Sequence, residues 1–221
     1  MLIRRCDIAV QQSEQRAALL PPIFLFLLLV FITITVELNA LKSIDEVIGF
    51  WIQRSITPTR TAVMLVWTNL GATWFILLFT VVLGIVLAFR RLNYWLRRLV
   101  WSIPACMLSV EAIKYGFQRP RPVVPHPLLQ LATYSFPSGH TASATVLYGF
   151  LAILMCSFTQ KWTSRVLIGS AAVALIVGVA FSRIYLGVHY VTDVTAGVIL
   201  GLAWLSLSAR LTESSERPHA M

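Results

Sequence analysis

Three short stretches of the chain combine basic, imidazole and carboxylate side chains in patterns that suit a phosphate group. They are residues 114–122, 137–140 and 182–193. Charged groups are costly inside a hydrophobic helical bundle, so a cluster of ionisable residues there indicates a functional site. Arg and Lys suit phosphate oxygens, His suits proton transfer or nucleophilic attack, and Asp can orient a His. These residue types together predict a phosphatase site.

The third stretch contains a His and an Asp at helical spacing. His189 and Asp193 are four residues apart, so on a helix they share one face. An Asp that accepts a hydrogen bond from one imidazole nitrogen leaves the other nitrogen free to attack. Attack on phosphorus would form a covalent phosphoenzyme. The alternative is a polar clamp between two helices, which the nearby Arg183 makes less attractive.

The second stretch, Pro137-Ser138-Gly139-His140, immediately precedes an apolar helix. Ser is a favoured N-cap, Gly lets the backbone approach a ligand closely, and helix N-termini bind anions. His140, in the first helical turn, would protonate a leaving oxygen as general acid. A simple capping sequence is the alternative.

The basic residues of the three stretches would surround the non-bridging oxygens of the phosphate. Lys114, Arg121 and Arg183 would stabilise transition-state charge without a metal, and no clustered Asp/Glu site suggests a metal or another cofactor. Arg119 is a rival for the phosphate contact, although the neighbouring prolines make Arg119 and Arg121 point differently. Glu111 either pairs with Lys114 or is a separate interfacial carboxylate.

Composition places the chain among membrane proteins. It has 221 residues, of which 57% are hydrophobic and 12% charged, with a mean hydropathy of +0.77. Soluble domains carry about 25% charged residues. The net charge of +9 does not indicate nucleic-acid binding, because most of the Arg residues fall in short segments between apolar runs.

The apolar runs predict an all-α bundle of six transmembrane helices. The runs cover residues 21–38, 62–89, 99–117, 141–159, 166–185 and 190–209. The membrane domain would then occupy residues 21–210, between a leader (1–20) and a tail (211–221). Arg and Lys are concentrated in the leader, in the loops after the second and fourth runs, and in the tail, so these segments are predicted to be cytoplasmic. All three motifs would face the opposite side.

A short amphipathic helix is predicted near residues 41–54, between the first two spans. Its apolar and polar positions separate at helical spacing. The apolar positions are Leu41, Ile44, Val47, Ile48 and Trp51, and the polar ones are Lys42, Asp45, Glu46 and Gln53. Such a helix suits the outer membrane surface. The alternative is a solvated helix that packs on the bundle.

The order and spacing of the three motifs resemble the signature of the type 2 phosphatidic acid phosphatase family. The matching pattern is Lys, six residues, Arg-Pro; Pro-Ser-Gly-His; and Ser-Arg, five residues, His, three residues, Asp. The resemblance covers about residues 20 to 210. It implies that His189 is the nucleophile, Asp193 its orienting partner and His140 the general acid. It also implies a set of phosphate-binding residues, namely Lys114, Arg121, Ser138, Gly139 and Arg183.

We therefore expect a metal-independent lipid phosphatase with its site on the outer face of a bacterial inner membrane. The expected substrate is a lipid monoester or diphosphate in the bilayer, such as phosphatidylglycerophosphate, phosphatidic acid or undecaprenyl diphosphate. Two enzymatic alternatives use the same residues: dephosphorylation of lipid A, and phosphoryl transfer between lipids. The non-enzymatic alternative is an anionic-lipid transporter, for which internal repeats are not evident.

Overall fold

The chain folds as a bundle of α-helices around one central helix. The computed structural model describes residues 22–124, 128–129 and 131–214, and this part of the chain contains helices and no strands. In chain order the helices are α1 (Pro22–Glu37), α2 (Lys42–Gln53), α3 (Pro58–Asn69), α4 (Thr73–Phe89), α5 (Asn93–Phe117), α6 (Gly139–Ser157), α7 (Trp162–Tyr185) and α8 (Val191–Ser214). The predicted all-α class is confirmed.

Helix α6 lies at the centre and packs against α5, α7 and α8. Residues 141–148 are all buried, because neighbouring helices cover α6 on every side. Helix α8 approaches α6 closely where Gly197 and Gly201 face Ser138 and Thr145. Small residues at such positions let helix backbones come together in a membrane bundle. This packing fixes the N-termini of α6 and α8 beside each other.

The outer surface of the bundle is rich in large apolar side chains that remain exposed, as a lipid-facing surface requires. By length and composition, α6, α7 and α8 up to Thr212 can each cross a membrane. The bent pairs α1–α2 and α3–α4 raise this number to five if each pair forms one span. Helix α5 lies outside this set because Arg97, Arg98, Glu111 and Lys114 lower its hydropathy. Six spans therefore remain a prediction.

The second predicted span, residues 62–89, is divided in the structure. Helices α3 and α4 meet at an angle of 41°, and Gly71 lies in the break between them. A Cβ atom at Gly71 would lie 3.0 Å from the backbone oxygen of His140 and 2.6 Å from Cγ1 of Val179. The break therefore lets the chain pack directly against the first turn of α6.

The predicted amphipathic helix is present as α2, and two residues of its polar face, Asp45 and Gln53, are turned toward the protein. Asp45 is its one buried residue, and Gln53 donates a hydrogen bond to the backbone oxygen of Tyr185. The exposed side chains of α2 include Ile44, Val47, Phe50 and Trp51. The helix packs on the bundle and presents an apolar face outward, so its position on the membrane surface stays a prediction. Its placement outside the cytoplasm stays a prediction.

The predicted segment boundaries are only partly within the described residues. The leader, residue 21 of the membrane domain and residues 215–221 of the tail lie outside them. Helix α8 continues to Ser214, four residues past the predicted end of the membrane domain at residue 210. The division into leader, membrane domain and tail remains a prediction.

Candidate phosphate site

His189 and Asp193 lie together at the turn that joins α7 to α8. Nδ1 of His189 is 3.3 Å from Oδ2 of Asp193, and the backbone N–H of Tyr190 donates to the same oxygen at 2.9 Å. Both side chains are buried. When Nδ1 carries the proton and donates it to Asp193, Nε2 has a free lone pair. The geometry therefore suits nucleophilic attack through Nε2.

Burial also keeps the His189 imidazole neutral. Desolvation lowers the pKa of His189 to about 4, although the hydrogen bond and the negative charge of Asp193 act to raise it. The positive charges of Arg183 and Arg121 lower it further. At neutral pH the ring is therefore unprotonated, which is the form that can attack phosphorus.

Arg121 joins the loop before α6 to the His189 turn. Its Nε and Nη2 donate to the backbone oxygen and the hydroxyl of Thr133, at 2.7 and 2.8 Å. Its Nη1 donates to the backbone oxygen of Val188 at 2.7 Å and lies 3.4 Å from Nε2 of His189. Desolvation lowers the pKa of Arg121, and the charge of Asp193 opposes this effect. A guanidinium group thus stands beside the nitrogen that would attack.

Arg183 projects from the last turn of α7 and is 2% exposed. Its Nη1 donates to the hydroxyl of Thr68 on α3 at 2.6 Å, whereas its Nε has no hydrogen-bond partner within the described part of the chain. A buried guanidinium N–H without a partner is costly. An anion bound at this point would accept a hydrogen bond from the Arg183 Nε–H, as expected for a residue that binds phosphate.

The Pro-Ser-Gly-His stretch forms the N-terminus of α6, as predicted. Ser138 caps the helix by accepting a hydrogen bond from the backbone N–H of Thr141, and its own N–H donates to the backbone oxygen of Asp193 at 3.0 Å. A Cβ atom at Gly139 would lie 3.6 Å from Nζ of Lys114. The positive end of the α6 dipole and the Lys114 ammonium group therefore meet at Gly139.

Lys114 reaches this point from the last turn of α5, where it also pairs with Glu111 at 3.1 Å. Of the two interpretations of Glu111, the structure thus favours the ion pair. His140 is partly buried and makes no hydrogen bond with any described residue. The His189 ring and the basic groups of Arg183, Lys114 and Arg121 all lie near it. The structure thus brings all eight predicted site residues to one region.

The sequence does not reveal how Arg119 is used. Its Nη1 donates to Oδ1 of Asp193 at 2.5 Å, and its Nη2 donates to Oδ2 of Asp45 at 2.9 Å. Its guanidinium also stacks over the ring of Tyr190, 4.2 Å from the centroid. Arg119 therefore binds two carboxylates, and its role as an alternative to Arg121 in binding phosphate stays a prediction.

Two further polar residues of the site were not predicted to belong to it. Thr68 holds Arg183, and Asp45 holds Arg119 from the distant helix α2. Neither residue belongs to a motif. Thr68 lies in an apolar run, and Asp45 lies on the polar side of an amphipathic pattern that suggested solvent.

Among the described residues, no group of three or more His, Cys, Asp or Glu side chains could hold a metal ion.

A model of the PAP2 superfamily matches residues 95–217, which contain all three motifs. The chain belongs to the PAP2 superfamily. It is an enzyme, a lipid phosphatase of that family. The resemblance of its motifs to the type 2 phosphatidic acid phosphatase (PAP2) family is thus confirmed.

Similar proteins cover most of this PAP2 chain. Phosphatidylglycerophosphatase B of Bacillus subtilis is 33% identical over 199 residues, which are 89% of this chain and 97% of that protein. The undecaprenyl-diphosphatase of Sulfolobus acidocaldarius is 33% identical over 139 residues, 61% of this chain and 63% of that one.

Two solved structures share the fold. The crystal structure of a transmembrane PAP2-type phosphatidylglycerolphosphate phosphatase from Bacillus subtilis has a TM-score of 0.77 and 30% identity. The aligned region covers 89% of this chain and 98% of the Bacillus subtilis chain. The structure of LpxE from Aquifex aeolicus has a TM-score of 0.61 and 25% identity, and covers 76% and 95% of the two chains. The PAP2 chain is thus similar to a transmembrane PAP2-type protein along most of its length.

Proposed function

We propose that this enzyme hydrolyses the terminal phosphate of a membrane lipid through a phosphohistidine on His189, without a metal ion, at the extracytoplasmic face. One observation carries the proposal. Nδ1 of His189 is held against Asp193, while Nε2 faces Arg121 in a region where Arg183, Lys114 and the α6 N-terminus also converge. A nucleophile and its phosphate-binding groups are therefore adjacent.

The reaction follows from this arrangement. Nε2 of His189 attacks phosphorus, the bond to the lipid oxygen breaks, and His140 donates a proton to that oxygen. The lipid alcohol, or the lipid monophosphate if the substrate is a diphosphate, then leaves. In the second step His140 takes a proton from water, whose oxygen attacks phosphorus. The P–N bond breaks, which releases inorganic phosphate and restores neutral His189.

The remaining site residues act on the phosphoryl oxygens. Arg183 offers its unpartnered Nε–H, Lys114 offers an ammonium group beside Gly139, and the first turn of α6 offers backbone N–H groups. These donors are fixed before substrate arrives, so they stabilise transition-state charge with little reorganisation. Ser138 acts as the cap that holds the α6 N-terminus in place, and Arg121 holds the loop and faces the attacking nitrogen.

A pocket beside His189 suits the part of the substrate that does not react. Its volume is about 840 Å³, and its lining includes the apolar side chains of Phe50 and Val124. Phe50 belongs to the outward apolar face of α2, so the pocket adjoins the surface that would contact lipid. This position favours a lipid substrate that enters from the membrane.

Phosphatidylglycerophosphate is the substrate to test first, because the relative that carries this name matches 89% of the chain. Purified enzyme in detergent should release phosphate from it in the presence of a chelator, and His189→Ala should abolish the release. Phosphatidic acid and undecaprenyl diphosphate should be assayed in parallel. Complete loss of activity on chelation, or full activity in His189→Ala, would contradict the proposal.

Lipid A is a second candidate substrate. The lipid A 4'-phosphatase of Bacteroides thetaiotaomicron is 32% identical over 93 residues, or 38% of this chain. A higher kcat/KM for lipid A than for the three phospholipid and polyprenyl substrates would favour this assignment. If labelled phosphate moved from undecaprenyl diphosphate to an added lipid acceptor, the enzyme would instead be a transferase.

A further inference from the structure

Asp45 is a buried carboxylate on a helix whose neighbouring side chains are mostly exposed. It is 2% exposed, and it accepts three hydrogen bonds. Arg119 Nη2 donates to its Oδ2 at 2.9 Å, the Thr192 hydroxyl donates to Oδ2 at 2.6 Å, and the Thr192 backbone N–H donates to Oδ1 at 3.0 Å. Burial of a charge is tolerated only with such partners.

The partners of Asp45 lead directly to the nucleophile. Thr192 lies in the first turn of α8, so Asp45 caps from outside a helix N–H that would otherwise lack a partner. Thr192 Oγ1 also accepts a hydrogen bond from Arg119 Nη1 at 2.8 Å, and the same Nη1 donates to Asp193. Asp193 in turn contacts Nδ1 of His189. A continuous hydrogen-bonded chain therefore joins α2 to His189.

We propose that Asp45 is a positioning residue for the phosphatase reaction, which holds Asp193 in the orientation that directs His189 and does so through Arg119 and Thr192. The inference rests on the proposed function of His189 as nucleophile. Asp45 itself does not touch the phosphate. Its positioning effect is exerted on one carboxylate, that of Asp193.

The charges of the cluster explain why a second carboxylate is needed. If Arg119 bound Asp193 alone, the pair would be neutral, and Asp193 would stabilise a positive imidazole ring less. With Asp45 sharing the guanidinium, the three groups together carry one negative charge. That charge lies beside His189, whose ring becomes positively charged when Nε2 bonds to phosphorus. Asp45 thus fixes the position of Asp193. It also offsets the positive charge of Arg119, so that a net negative charge remains beside His189.

The substitution Asp45→Asn tests the proposal, because it removes the charge with almost no change in volume. With an activated aryl phosphate as substrate, kcat should fall about 10- to 100-fold, the cost typical of outer-shell partners that orient metal-bound His residues. KM should change by less than about threefold, since the groups that bind phosphate are untouched. Glu37→Gln is the matched control: it removes an exposed carboxylate at the end of α1, away from the pocket beside His189, and should leave kcat unchanged.

The double variant separates positioning from a general loss of structure. In an Asp193→Asn background no carboxylate remains to be positioned, so adding Asp45→Asn should lower kcat by a clearly smaller factor than in the wild type, because the only remaining effect is the loss of the charge that offsets Arg119. If the full 10- to 100-fold loss persisted in that background, or if Asp45→Asn alone retained kcat, the inference would be overturned. Phosphatase activity that survives in His189→Ala would overturn the proposed function as well, whereas an active wild type, an inactive His189→Ala and an unaffected Asp45→Asn would overturn the positioning role alone.

Discussion

Each buried basic residue of the site is held in place by a specific hydrogen bond or ion pair. Arg183 is held by the Thr68 hydroxyl, Lys114 by Glu111, and Arg119 by two carboxylates. Neutral and negative partners restrain the basic groups without consuming every donor, as the free Nε–H of Arg183 illustrates. The site is therefore preorganised for an anion while each of these charges keeps a specific partner.

The two His residues should respond differently to the leaving group. His189→Ala removes the proposed nucleophile and should abolish phosphoenzyme formation with every substrate. His140→Ala removes the proposed proton donor, so hydrolysis of a lipid phosphate should slow by about 10²–10⁴-fold. An activated aryl phosphate should suffer much less, because its leaving group needs little protonation. Phosphoenzyme that is trapped without acid should map to the peptide containing His189, and steady-state rates should give the two substrate profiles.

Two results would contradict these roles. A label that maps to the peptide containing His140 would exchange the nucleophile and the acid. Equal sensitivity of both variants to leaving-group activation would show that the two residues do not have these separate roles.

The motif residues were predictable from sequence because they combine expensive charges with fixed spacing. His189 and Asp193 share a helical face, and Ser138 precedes an apolar run, so local rules place both features. The partners of these residues were not predictable in the same way. Asp45 and Thr192 are 147 residues apart, and nothing local in the sequence pairs them. Long-range contacts of this kind depend on how the helices pack.

At the scale of helices, hydropathy located the apolar segments and missed their breaks. The run 62–89 is long enough to suggest one span, yet it bends near Gly71, where α3 and α4 meet. The reason is the close contact with α6, which hydropathy does not describe. The orientation of α2 was also not predictable, because an amphipathic pattern does not say whether water or protein covers the polar face.

The substitution Gly71→Ala should therefore disturb the site, although Gly71 is not itself a site residue. The added methyl group would lie against His140 and Val179, and overpacking of this kind typically costs about 1–3 kcal/mol. We expect a lower melting temperature in detergent and a lower kcat, since the first turn of α6 must shift. Both are measured on the purified protein.

Gly169→Ala is the control for this change. Gly169 lies in α7, where an added Cβ meets nothing within 4 Å. Because Ala is favoured over Gly inside a helix by up to about 1 kcal/mol, this variant should be as stable as the wild type or more so. Unchanged stability and activity in Gly71→Ala would show that the α3–α4 break does not support the His140 turn.

For the whole molecule, the distribution of charge predicts the orientation in the membrane. Arg90 and Arg91 follow α4, and Arg97 and Arg98 lie at the start of α5. Lys161 and Arg165 lie between α6 and α7 and at the start of α7. The positive-inside rule places both regions in the cytoplasm. The phosphate site is formed at the opposite ends of α5, α6 and α7, where Lys114, His140 and Arg183 are found, so it should face outward.

Cysteine labelling of intact cells tests this orientation at two positions, in a background where Cys6, Cys106 and Cys156 are replaced by alanine. Val123 is fully exposed in the loop after α5, so Val123→Cys should react with a membrane-impermeant maleimide added from outside. Asn93 is exposed at the start of α5, beside the Arg cluster, so Asn93→Cys should react only after permeabilisation. Activity of both variants provides the check on folding. Labelling of both positions from the same side would require an even number of crossings between residues 93 and 123, and would exclude α5 as a transmembrane helix.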